Sequence, residues 1–170
     1  DLQALMNRQL PQITQRLQTT LDKLRTPDQP ERSRPTPAAQ WWDALKARYT
    51  RGDVVCIGGD IVAEAMVPGE LFDSVAENLI QNALNKGHGE AGFRVEVHFS
   101  FTQRPCLRVT DVGGPVPPVV ARRLFDGPVP SQSGLGIGLY QAARQAAQHG
   151  YRLSLASNAP GQVSFELAPA

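Results

Sequence analysis

Three stretches of this chain hold residue types that chemistry could use. The first is Asn78-Leu79-Ile80-Gln81-Asn82-Ala83, with two asparagines about one helical turn apart. The second is Asp111-Val112-Gly113-Gly114-Pro115, an acid followed by glycines after a strand-like run. The third is Ser133-Gly134-Leu135-Gly136-Ile137-Gly138-Leu139, in which glycine alternates with other residues before a helical pattern that runs to His149. Glycine at every second position lets backbone approach backbone or ligand where a Cβ would clash, and the helix start beyond it offers free N–H groups and the positive end of a dipole. Phosphate is commonly held in this way. Such a turn alone is more often only a tight turn, so the other two stretches carry the decision.

On a wheel at 100° per residue, Leu71, Phe72, Val75, Ala76, Leu79, Ile80 and Ala83 form the apolar arc of a helix over 71–85, and Asp73, Glu77 and Gln81 lie opposite. Asn82 projects inside that arc, between Leu71 and Val75, with Asn78 at its edge. A buried amide must find partners or cost about 1–3 kcal/mol. Its partner is either a neighbouring backbone group or a hard cation such as Mg²⁺, completed by water and substrate phosphates. Asp111 poses the same question. The alternation Leu107, Val109, Asp111 places an acid on the apolar side of a strand end, where an unpartnered carboxylate is very costly. It either caps the following turn or accepts a hydrogen bond from a ligand amino group such as adenine offers, with Gly113 and Gly114 letting a flat ring approach the backbone.

Periodicity supplies the elements that position these residues. Ala38–Tyr49 reads as a helix carrying Trp41, Trp42, Leu45 and Tyr49. Val54–Ile57 and Ile61–Val67 read as strands joined by a Gly58-Gly59-Asp60 turn, and Pro68-Gly69-Glu70 opens a long helix to about Lys86. Phe93–Phe101 alternates strictly, which predicts a strand with one buried side and Cys106–Val112 as its hairpin partner. A Pro- and Gly-rich loop, Gly113–Ser133, precedes the last helix, and strands Arg152–Ser157 and Val163–Leu167 close the pattern. The expected architecture is α+β: a two-layer sandwich of a mixed, mostly antiparallel sheet with helices on one face, preceded by one long helix.

That first helix has a near-heptad stripe of Leu2, Met6, Leu10, Ile13, Leu17, Leu21 and Leu24, which wants a partner helix. The polar, proline-rich stretch after it reads as a linker, so the chain divides into 1–26, 27–37 and 38–170. The start at Asp1, in mid-pattern, is read as a piece of something longer. With 170 residues, 41% hydrophobic and 19% charged, the chain suits one globular domain with an appendage. A net charge of +1 and no basic run argue against nucleic acid as a partner. Cys56 and Cys106 read as buried thiols in a reducing compartment, not as a disulfide.

In their order and gaps, Asn78-x-x-x-Asn82-Ala83, Asp111-x-Gly113, Phe125 in the following loop and Gly134-x-Gly136-x-Gly138-Leu139 resemble the four sequence boxes of the ATP-binding domain of sensor histidine kinases. The wider family includes gyrase, MutL and the heat-shock chaperone ATPases. The resemblance covers about 38–167 and implies a protein histidine kinase that uses ATP and Mg²⁺. It implies Asn82 as the Mg²⁺ ligand, with Asn78 its catalytic helper near the phosphates. Asp111 becomes the adenine-binding acid, Gly113 the place where the base approaches, and 114–133 a lid. The phosphate-facing turn is Gly134, Leu135, Gly136, Ile137, Gly138 and Leu139.

The resemblance further implies that Leu2–Leu24 is the second helix of a dimerising hairpin, giving a homodimer. The γ-phosphoryl group would go to a histidine upstream of Asp1 and then to an aspartate of a response regulator partner. The expected location is cytoplasmic, with any membrane attachment through upstream segments.

The sequence also departs from the family. Gyrase- and MutL-like ATPases place a water-activating glutamate four residues before the metal asparagine, where this chain has Asn78; Glu77 points to the solvent side, so phosphotransfer fits better than hydrolysis. Pro115 replaces a usual third glycine. The lysine usual three residues after the metal asparagine is Asn85, with Lys86 one place on as its cofactor-binding substitute. Two other readings follow: a degenerate nucleotide- or partner-binding module without catalysis, and an anti-sigma-type serine kinase on the same fold.

Overall fold

The computed structural model describes residues 34–49, 52–101, 104–127 and 137–170. The expected dimerisation helix, most of the linker and Gly134, Leu135 and Gly136 lie outside the described residues. Strand β1, Pro35–Pro37, ends the proline-rich stretch and leads into helix α1, Ala38–Arg48. Then follow β2 (Val54–Ile61), β3 (Met66–Pro68), α2 (Gly69–Lys86), β4 (Val95–Phe101) and β5 (Pro105–Asp111). A short helix, α3 (Pro118–Ala121), and then α4 (Gly138–Gln148) precede the final hairpin, β6 (Tyr151–Ala159) and β7 (Gln162–Pro169).

Five strands form one mixed sheet in the order β2-β4-β5-β7-β6, and β1 pairs with β3 in a separate ribbon. The pairings in the main sheet are antiparallel except β2 with β4. This corrects the expected hairpin at Gly58-Gly59-Asp60: the chain runs through that tripeptide within β2, with a register irregularity between Gly58 and Ile61. The reason lies in packing. A Cβ on Gly58 would stand 2.6 Å from Nε1 of Trp42, so the glycine admits the indole against the strand. Because β2 is parallel to β4, the chain must cross over between them, and α2 is part of that crossover.

The alternation in β4 holds as read: Val95, Val97 and Phe99 are buried, and His98 faces solvent. Phe93 is buried but lies before the strand. The helices cover the apolar face of the sheet. Trp41 meets the rings of Phe72 at 5.3 Å and Phe99 at 5.0 Å in edge contacts, and Phe72 meets Tyr151 at 5.4 Å. Each large side chain so buried contributes about 1.5–3 kcal/mol. The polar side of α2 is partly used to fasten α1, since Asp73 Oδ1 accepts from Trp41 Nε1 at 3.0 Å and from Arg48.

The opposite face of the sheet is polar, with Arg108 of β5 paired to Glu166 of β7 across register partners. Cys56 pairs in register with inward Val97, and Cys106 with Ser100 on the other face. Both thiols are free and half-buried rather than fully buried, and they point to opposite faces of the sheet. Burial raises both thiol pKa values; for Cys106, with Glu166 adding to the effect, it reaches about 11. No described helix is long and apolar enough to cross a membrane.

Candidate functional site

One stripe of α2 carries the site. Leu71 and Val75 face the core and are fully buried. At the same angular position the stripe continues as half-buried Asn78, exposed Asn82 and then Lys86. The wheel placed Asn82 correctly but not its burial: it faces solvent instead of the core. A wheel gives direction only: Ala83 and Gly87 remain buried to the end of α2, while the side carrying Asn82 is left open. Eight residues at 1.5 Å each separate Asn78 from Lys86, so the polar stripe spans about 12 Å.

At one end of the stripe, Asn78 Nδ2 donates to Ser74 O at 2.8 Å, one turn back. Asn78 Oδ1 faces the start of α4: a Cβ on Gly138 would lie 2.9 Å from it, so only glycine lets the helix start this close. Ile137 caps α4 without any side-chain hydrogen bond to the first turn. The first N–H groups of a helix have no partner within it, and among the described residues no side-chain cap takes them. Leu139 packs partly against the core, which anchors the first turn of α4.

At the other end stands Asp111, 3% exposed at the end of β5, between Val95 of β4 and Val163 of β7 in register. Its Oδ1 accepts from Gly113 N at 2.9 Å and from Lys86 Nζ at 2.7 Å. The capping role open at the sequence level is therefore present. Lys86, read from the sequence as the cofactor-binding substitute for the family's usual lysine, lies beside the acid at the Asp111 end.

The loop after Asp111 is fastened at its base by residues the sequence reading missed. Asn158 of β6 accepts from Val116 N at 2.7 Å and donates to Val116 O at 2.9 Å. Gly161, at φ +77° in the β6–β7 turn, donates its N–H to Gly113 O at 3.0 Å. Phe125 meets Phe165 edge-on at 6.4 Å, which seats that end of the loop on β7. Phe93 fills the space between two glycines: Cβ atoms on Gly87 and Gly113 would lie 2.1 Å and 3.1 Å from its ring. No local sequence signal marks Asn158 or this use of Phe93, because both act on residues distant in the chain.

The Asn82 side chain makes no hydrogen bond to a described residue, which leaves its amide oxygen available to a cation. A single protein oxygen suits Mg²⁺, which keeps several waters and takes further oxygens from phosphates. Among the described residues no group of three or more His, Cys, Asp or Glu could hold a metal without such help. Glu77 is exposed, as read, as are Arg122 and Arg123 in the loop.

Helices on one face of a mixed five-stranded sheet, with a polar helix stripe running from a buried acid to a glycine-led helix start, define the class of this α+β domain. Residues 69–169 match the histidine kinase-, DNA gyrase B- and HSP90-like ATPase family, and the chain belongs to that family. Its fold is that of histidine kinase catalytic domains. It is similar to the mycobacterial sensor histidine kinase MprB, at 21% identity over 81% of this chain and 96% of that one, with a TM-score of 0.60. The catalytic domain of histidine kinase ThkA is similar at 17% identity over 80% of this chain and 93% of that one, with a TM-score of 0.62. Full-length ShkA, solved in complex with AMPPNP, is similar at 20% identity and a TM-score of 0.62, over 79% of this chain and 30% of ShkA. No curated protein matches the sequence.

Proposed function

We propose that this chain is the catalytic domain of a sensor histidine kinase, acting in the cytoplasm, with part of its dimerisation hairpin in 1–26. It binds Mg·ATP along the α2 stripe, with the base at Asp111 and the phosphates toward Gly138. The observation that carries this reading is the stripe itself. Asn78, Asn82 and Lys86 stand on successive turns between a buried acceptor and an uncapped helix start, a span of about 12 Å that suits an extended nucleoside triphosphate.

The chain's own residues bind and orient. Asp111 accepts from the base amino group, and the N–H groups at the start of α4 take phosphate oxygens. Asn82 would hold Mg²⁺, which neutralises phosphate charge. Asn78, whose Oδ1 faces Gly138, is the helper near the phosphates. The bond between the γ phosphorus and the β–γ bridging oxygen breaks, with ADP as the leaving group, and a P–N bond forms to an imidazole nitrogen of a histidine upstream of Asp1; the phosphoryl group then passes to a response regulator aspartate. Catalysis of this kind is mainly positioning and charge stabilisation. Asn78 in the place of a water-activating glutamate, with Glu77 in solvent, favours transfer over hydrolysis.

Calorimetric titration with Mg·ATP tests the proposal. The unaltered chain is expected to bind saturably, and Asn82→Ala and Asp111→Ala to lose binding while remaining folded by circular dichroism. Absence of binding at millimolar nucleotide would replace this reading with a degenerate module that keeps the glycine turn for its fold alone.

A further inference from the structure

Both features by which the Asp111 end would take a nucleobase, a buried acceptor and a bare patch of backbone, are covered by one side chain. Lys86 Nζ donates to Asp111 Oδ1 at 2.7 Å. Its stem crosses the face of Gly113, where a Cβ would lie 2.8 Å from Lys86 Cε. The edge of Phe93 borders the same space, 3.1 Å from that Cβ position. The cover and the covered group differ in freedom: 31% of the Lys86 side chain is exposed against 4% of that of Asp111. A long chain at the surface can swing off, whereas the acid is fixed at its strand end.

We infer that Lys86 is a built-in occupant of the base end: its ammonium stands in for the amino group of an amino-purine, and a base binds by displacing it from Asp111 and Gly113. The inference rests on the nucleotide-binding reading above. The exchange swaps one hydrogen-bond donor for another on the same carboxylate, and no covalent bond changes. Only the fraction of molecules with Lys86 withdrawn is competent, so apparent affinity is reduced by that fraction. Removing the ammonium has two linked effects. The free protein loses stability, because a buried carboxylate loses its cation. A nucleoside then restores more of that stability, because its amino group supplies the missing donor. A lysine that only braced the fold would produce the first effect without the second.

Adenosine is the discriminating probe, because it lacks phosphates and reads the base end alone. Calorimetric titration compares the unaltered chain with Lys86→Met, with Lys86→Ala as a second truncation and Lys86→Arg as the charge-preserving control. Both truncations are expected to bind adenosine about tenfold more tightly than the unaltered chain, as for release of a competing conformer. Adenosine should raise their melting temperature by more than it raises that of the unaltered chain, and Lys86→Arg should behave like the unaltered chain. Mg·ATP binding to the unaltered chain and its loss in Asp111→Ala are measured alongside. If that binding is present while adenosine binds the truncations equally, more weakly or undetectably, Lys86 is not a competitor and the nucleotide reading stands. If Mg·ATP does not bind the unaltered chain, the nucleotide reading fails and this inference fails with it.

Discussion

At the Asp111 end of the α2 stripe the protein supplies its own partners. The carboxylate has Lys86 and Gly113, Gly113 has Gly161, and Phe93 fills the space between Gly87 and Gly113. Away from it, Asn82, midway along the stripe, is exposed with no side-chain hydrogen bond to a described residue, and at the Gly138 end α4 starts without a side-chain cap. The first end is continuous with the packing of the domain and the second leaves polar groups to be completed from outside. Changes at the first should therefore register in stability, and changes at the second in binding alone.

The contrast can be broken most directly at Gly87. A Cβ there would meet three ring atoms of Phe93 at 2.1 to 2.4 Å. Gly87→Ala should cost about 3 kcal/mol, the upper part of the overpacking range, in urea unfolding. A cost below about 1 kcal/mol would mean that Phe93 yields and that this end is not set by packing. Asn158→Ala comes next, because it removes both bonds to Val116 at an exposed site; about 1 kcal/mol is expected in the same measurement. No loss would show that the loop base is held by Phe125 and Gly161 without it.

The smallest effect belongs to Asn82→Ala. Its stability should change by no more than about 0.5 kcal/mol, in the stabilising direction because alanine is the better helix former, while Mg·ATP binding disappears. A destabilisation above about 1 kcal/mol would move Asn82 into the packing and erase the difference between the two ends.

Much of the fold could be read from local pattern. The strict alternation around Val95, Val97 and Phe99 identified a strand with one buried side, and the arc from Leu71 to Ala83 identified the core face of α2. Asn82 and Asp111 stood out for the same reason, as polar groups on apolar faces. What local pattern could not supply was context at a distance. Gly58-Gly59-Asp60 has the composition of a turn, and only the position of Trp42 explains a glycine inside a strand. The burial expected of Asn82 required knowing which side of α2 the rest of the domain leaves open. Lys86 was read by its spacing from Asn82, yet its position is set by a carboxylate on another element. Asn158 and the Phe93 contacts left no trace in local pattern, since each joins residues far apart in the chain.

The place of β5 within the sheet bears on how the protein is made. Asp111 takes its surroundings from β4, which precedes it closely, and from β7, whose Val163 lies beside it and whose neighbouring turn holds Gly113 through Gly161. A nascent chain that has emerged only through β5 can form the β4–β5 hairpin, yet it lacks that second flank. The carboxylate gains its fixed setting only when Gln162–Pro169 has left the ribosome and paired, so a chain interrupted before β7 has the acid without a formed place for a ligand.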